Sequence, residues 1–112
     1  MLRRLFLTAL LTLPLAAPAM AQSCDTSLQL VNRSSTTVLE FYFSTSSDAN
    51  WGTDRLGTEV LAAGQTKNFD TGAPGAHDFR VVLDGGRNAE LRNVDICVTS
   101  QIVVTANGIE AH

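Results

Sequence analysis

Reactive side chains are scarce in this 112-residue chain, which has two histidines, two cysteines and one tryptophan. Two histidines leave little to serve as a general base. No G-x-S-x-G elbow, H-E-x-x-H pair, phosphate-binding P-loop or glycine-rich dinucleotide fingerprint occurs in the sequence. Ser44, Ser46 and Ser47 therefore have no visible partner for nucleophilic catalysis. Paired carboxylates can support glycoside chemistry, but a chain this short has little room for a substrate cleft beside its own core. The reading is a protein that is not an enzyme. The cysteines lack C-x-x-C spacing and a neighbouring histidine, which argues against a redox couple or a zinc site. Past the N-terminus the basic residues Arg33, Arg55, Lys67, Arg80, Arg87 and Arg92 stand singly. They show neither the clustering nor the interleaved aromatics that follow a phosphate backbone, so nucleic acid is not an expected partner. After Gln22 no sizeable stretch keeps a helical period, and no apolar run approaches the roughly 20 residues of a membrane anchor.

What is present begins with an export signal. Arg3 and Arg4 make a basic start, Leu5 to Leu15 is almost unbroken apolar sequence, and Ala19-Met20-Ala21 places small residues where a signal peptidase reads them. Cleavage before Gln22 is expected, with residues 1–21 a signal peptide, residues 22–112 one domain, and a periplasmic or secreted location. The stretch Ala21-Gln22-Ser23 lacks the leucine of a lipid-modified Cys24. Arg3-Arg4-Leu5-Phe6-Leu7 is similar to a twin-arginine signal, but Leu2 and Thr8 stand where serine and lysine are usual, and the leucine-rich core favours the general route. Loss of Arg3 and Arg4 leaves six basic residues against eleven acidic ones, a formal net charge of −5. An acidic surface of that kind disfavours anionic membranes and nucleic acid alike.

An exported chain with an even cysteine count usually pairs its cysteines, so a Cys24–Cys97 disulfide is expected, closing most of the domain into one loop. The apolar residues between them recur mostly with period two. Leu28 and Leu30 mark a first strand. Thr36 to Ser44 is the clearest strand, with Leu39, Phe41 and Phe43 on one face and Val38, Glu40 and Tyr42 on the other. Glu59 to Leu61 and Thr66 to Asp70 are shorter. His77, Phe79, Val81 and Leu83 alternate with Asp78, Arg80, Val82 and Asp84, and Asp84-Gly85-Gly86-Arg87 has the chemistry of a hairpin turn. Strands from Ala89 to Val98 and from Ile102 to Thr105 follow, then Asn107-Gly108 and a short tail ending at His112. About seven short strands and no linker give an all-β domain, a small antiparallel β-sandwich, with a partly closed β-barrel as the alternative.

Candidate chemistry gathers in the polar loop after the second strand. Asp48, Asn50, Asp54 and Glu59 offer oxygen ligands for calcium, the one cofactor the sequence suggests. Their spacing does not match an EF-hand, and such residues commonly hydrogen-bond their own backbone instead. Trp51 beside Gly52 suits an interface anchor or a plug for one end of the core. Asp78 and Arg80 share one strand face and could meet a ligand or partner, or form a cross-strand ion pair, with Asp54 as one candidate. His77 reads as a rim residue and His112 as a frayed end. Asn32-Arg33-Ser34 matches the glycan acceptor pattern, which matters only in a eukaryotic setting. The candidate binding set is thus Trp51, Asp54, Asp78 and Arg80, on a protein expected to be monomeric.

Trp51-Gly52-Thr53-Asp54-Arg55-Leu56-Gly57, then Ala63-Gly64, Asp78-Phe79-Arg80-Val81-Val82 and Val94-Asp95-Ile96-Cys97, resemble a group of small exported bacterial proteins of unknown function. The likeness covers most of the chain after the leader and implies export and a compact β fold. Members often carry another cysteine shortly before the Asp-x-Arg element; Gly75-Ala76-His77 stands there in this chain, which leaves Cys24 as the partner for Cys97. Such chains are sometimes labelled argininosuccinate lyase, a much longer helical enzyme whose active site has no counterpart here. The expectation is a non-catalytic binding or accessory module for another protein or envelope component.

Overall fold

Alternation of apolar and polar residues commits each segment to a half-buried strand, and the burial follows it. In the computed structural model, which describes residues 24–112, β2 (Val38–Thr45) and β4 (Ala76–Leu83) bury Phe41, Phe43, Phe79, Val81 and Leu83 almost completely. The expected leader and its cleavage before Gln22 lie outside the described residues. The other strands are β1 (Ser27–Asn32), β3 (Thr66–Asp70), β5 (Asn88–Asp95), β6 (Gln101–Thr105) and β7 (Gly108–Ala111). They form a four-stranded sheet, β3-β1-β6-β7, and a three-stranded sheet, β2-β4-β5. The architecture is all-β, a small two-sheet sandwich and not a closed barrel. No helix among the described residues is long and apolar enough to cross a membrane.

The core lies between the sheets. Leu28 and Leu30 of β1 and Ile102 and Val104 of β6 face Phe41, Phe43, Phe79 and Val81. Phe69 of β3 completes the aromatic group, with its ring centroid 5.0 Å from that of Phe41. Each such side chain contributes about 1.5–3 kcal/mol through removal of its apolar surface from water. The Cys24–Cys97 disulfide forms across 73 residues of sequence and ties the chain ahead of β1 to the segment after β5.

Five features depart from the sequence reading. β1 and β6 pair in parallel, so the larger sheet is mixed and not wholly antiparallel. The tail is β7, which returns along β6; His112 exchanges backbone hydrogen bonds with Gln101 and is therefore held, not frayed. Glu59 to Leu61 supplies only a single bridge, Leu61 to Val38. A register irregularity between Val38 and Glu40 turns Val38 into the core in place of Leu39, because a bulge changes which residues share a face. His77 is 1% exposed, with Nδ1 3.1 Å from the Gly75 carbonyl oxygen, and so belongs to the interior and not the rim.

Asn32 explains how the loops at one end of the sandwich are held. Its amide nitrogen donates to the carbonyls of Thr36 and Leu61, and its amide oxygen accepts from the Ser34 backbone N–H and hydroxyl. The side chain is fully buried, so the Asn-Arg-Ser triplet is not a usable glycan acceptor in the folded protein.

Candidate functional site

The outward face of the three-stranded sheet brings Tyr42, Arg80, Glu90 and Arg92 together, with Trp51 of the loop after β2 against them. Cross-strand register places Tyr42 of β2 beside Arg80 of β4, and Arg80 beside Glu90 of β5. A second irregularity, between His77 and Phe79, makes β5 bulge opposite Asp78. Asn93 is the extra residue, at φ 59°, the left-handed region that asparagine tolerates better than most side chains. The bulge lets Leu91 and Val94 both face inward, while Glu90 and Arg92 stay outside.

Asp78 is the centre of this arrangement and is 5% exposed. Its Oδ1 accepts from the Ser46 hydroxyl at 2.7 Å and from the Asn93 N–H at 3.0 Å; its Oδ2 accepts from Arg92 Nη1 at 3.0 Å. Burial pushes the carboxyl up, yet the Asn93 N–H, the Ser46 hydroxyl and the Arg92 guanidinium together outweigh it and hold Asp78 below its ordinary value. Arg92 also donates to Glu90 at 2.8 Å, and its guanidinium lies 4.7 Å from the Trp51 ring centre. The hydrogen bonds to Glu90 and Asp78 keep Arg92 protonated more strongly than usual. Trp51 is half-buried, so it is neither a core plug nor a free-standing ring, and its loop is drawn onto the sheet.

Arg80 is less fully engaged. Its Nε is 3.7 Å from Glu90 Oε2, too long for a hydrogen bond, and is the one buried side-chain nitrogen or oxygen among the described residues without a partner. Its guanidinium lies 5.7 Å from the Tyr42 ring centre. The Tyr42 hydroxyl donates to Glu40, and that hydrogen bond raises its pKa. Asp78 thus finds its cation in Arg92 and not in Arg80, while the carboxylate beside Arg80 is that of Glu90 and not of Asp54. Sequence reasoning does not single out Arg92; the signal it offers is the slip in alternation over Leu91, Asn93 and Val94.

Asp54 does different work. Its Oδ1 accepts from the Phe41 and Leu56 N–H groups, Arg55 N–H donates to the Phe41 carbonyl, and Arg55 Nη2 donates to the Phe43 carbonyl. β2 is an edge strand, so these bonds occupy backbone groups that would otherwise face outward and invite pairing by another chain. Leu56, 4% exposed, anchors the loop in the core. The Trp-Gly-Thr-Asp-Arg-Leu-Gly segment is therefore a clasp over the β2 edge that also delivers Trp51 to Arg92.

The four calcium candidates do not converge. Asp48 accepts from the Asn50 N–H, Asp54 holds the clasp, and Glu59 pairs with Lys67 at 3.1 Å. Among the described residues no group of three or more histidine, cysteine, aspartate and glutamate side chains could hold a metal ion. His77 is buried near Phe79, and His112 pairs with Glu110. Comparison with protein-family models, with curated proteins and with solved structures finds no match to this chain.

Proposed function

We propose that this chain is an exported, monomeric, non-catalytic binding or accessory module, and that it meets a protein or envelope component through the Trp51–Arg92–Asp78–Arg80–Tyr42 face. One observation carries this reading: a tryptophan, a tyrosine and two arginines, the residue types that dominate binding hot spots, stand together on one sheet face. Buried Asp78 and the bulge at Asn93 fix Arg92 in place, so the surface is organised before any partner arrives. The disulfide agrees with an oxidising compartment. The resemblance to small exported bacterial proteins points the same way.

The test is capture of a partner from an envelope extract by the wild-type protein and by Trp51→Ala and Arg80→Ala, both checked for an unchanged melting curve. Each substitution is expected to reduce capture at least tenfold, as hot-spot truncation does. Undiminished capture by both variants removes this surface from consideration. The mass of the protein recovered from its own source tests export, with a chain beginning at Gln22 expected.

A further inference from the structure

The outward face of the four-stranded sheet carries a second, chemically different arrangement. Gln29 on β1 is the register partner of both Asn68 on β3 and Gln101 on β6. Gln101 Nε2 donates to Gln29 Oε1 at 3.0 Å, and Gln29 Nε2 donates to Asn68 Oδ1 at 3.2 Å. The three amides therefore run head to tail across the sheet, and each polarises the next. At the end of the row Asn68 stands exposed on β3, an edge strand of this sheet. A groove of about 420 Å³ opens over the Gln29–Asn68 end of this row, lined by Ser27, Leu28, Gln29, Asn68 and Ser100.

We propose that this groove binds a neutral β-linked oligosaccharide laid across the strands. Among the described residues no ionisable side chain lines it; the Asp25 carboxylate beside it accepts from the Ser27 N–H and hydroxyl, and a phosphate or carboxylate would meet no cation there. β1 is an inner strand whose backbone is paired on both sides, so the floor of the groove can address a ligand only through side chains, which disfavours strand addition by a peptide. Amides and hydroxyls suit sugar hydroxyl and acetamido groups, since both sides donate and accept. Neighbouring strands lie about 4.8 Å apart, close to the repeat of a β-linked pyranose chain, so successive sugars can meet successive amides. The groove holds no aromatic ring, and the expected affinity is millimolar. This site is independent of the Trp51 face.

Chitotetraose, titrated into the isotope-labelled protein while amide resonances are followed by NMR, tests the proposal. Saturable shifts are expected in the side-chain amides of Gln29, Asn68 and Gln101. Gln29→Ala and Asn68→Ala should each weaken binding about fivefold, the worth of one neutral hydrogen bond, with the fold intact by its backbone spectrum. The α-linked maltotetraose should respond more weakly. The absence of shifts at millimolar sugar, shifts unchanged in both variants, shifts confined to the Trp51 face, or an equal response to the α-linked chain each overturn it.

Discussion

Replacement of Asp78 by alanine tests whether the outward face is organised from within. The carboxylate is 7% exposed in its side chain and accepts three hydrogen bonds, from Ser46, Asn93 and Arg92. Truncation leaves the Ser46 hydroxyl and the Asn93 N–H without their acceptor in a mostly water-free site, at about 1–3 kcal/mol for each group left unsatisfied. Arg92 is 56% exposed, so water takes over much of its lost partner and its share is small. A total of about 2–4 kcal/mol follows, after partial relaxation. A domain of this size moves its melting temperature by roughly 4–8 °C per kcal/mol, so the fall should be at least about 8 °C. The assay is urea denaturation at neutral pH, repeated in acid. Because Asp78 titrates below its ordinary value in the folded state, its stabilisation is complete above the unfolded carboxylate pKa and is lost as pH falls through the lower folded one. The gap between wild type and Asp78→Ala should therefore narrow in acid. A loss below about 1 kcal/mol at neutral pH, or a gap that does not shrink in acid, refutes the reasoning.

Three other outcomes are expected. Reduction of Cys24–Cys97, or its replacement by serines, should lower stability by about 4 kcal/mol from the loop closed over 73 residues, read as the difference in melting with and without reductant. Asn32→Ala should cost at least about 3 kcal/mol, since four hydrogen bonds at a fully buried position lose their partner, and urea denaturation measures it. At the bulge, Asn93→Gly should leave stability within about 1 kcal/mol while Asn93→Val destabilises by about 1–2 kcal/mol, because a β-branched residue resists positive φ; equal melting curves for the two overturn that account.

How much of the site was legible differs from residue to residue. Asp78 and Arg80 were placed on one face by simple alternation, and the structure keeps them there. Rarity singles out Trp51, but its contact with Arg92 joins segments far apart in the sequence and leaves no local trace. Asp54 carried a ligand-like signature yet serves the β2 edge, since a carboxylate that binds backbone N–H groups looks in sequence like one that binds a metal. Glu59 is drawn instead to Lys67, a partner set by the turn that brings β3 alongside.

The sequence by itself determined the class of fold and the places where the chain turns. Period-two alternation has only one way to bury its apolar half, and Asp84-Gly85-Gly86-Arg87 adopts the positive φ values of a tight turn at Gly85 and Gly86. It also determined that Cys24 and Cys97 had only each other to pair with. Tertiary structure alone decided the parallel pairing of β1 with β6, the bulges that exchange Val38 for Leu39 and insert Asn93, and the choice of Arg92 as the cation for Asp78. The reason is range: alternation and turn chemistry act between near neighbours. Strand order, bulge placement and ion-pair choice depend on which distant surfaces pack best together.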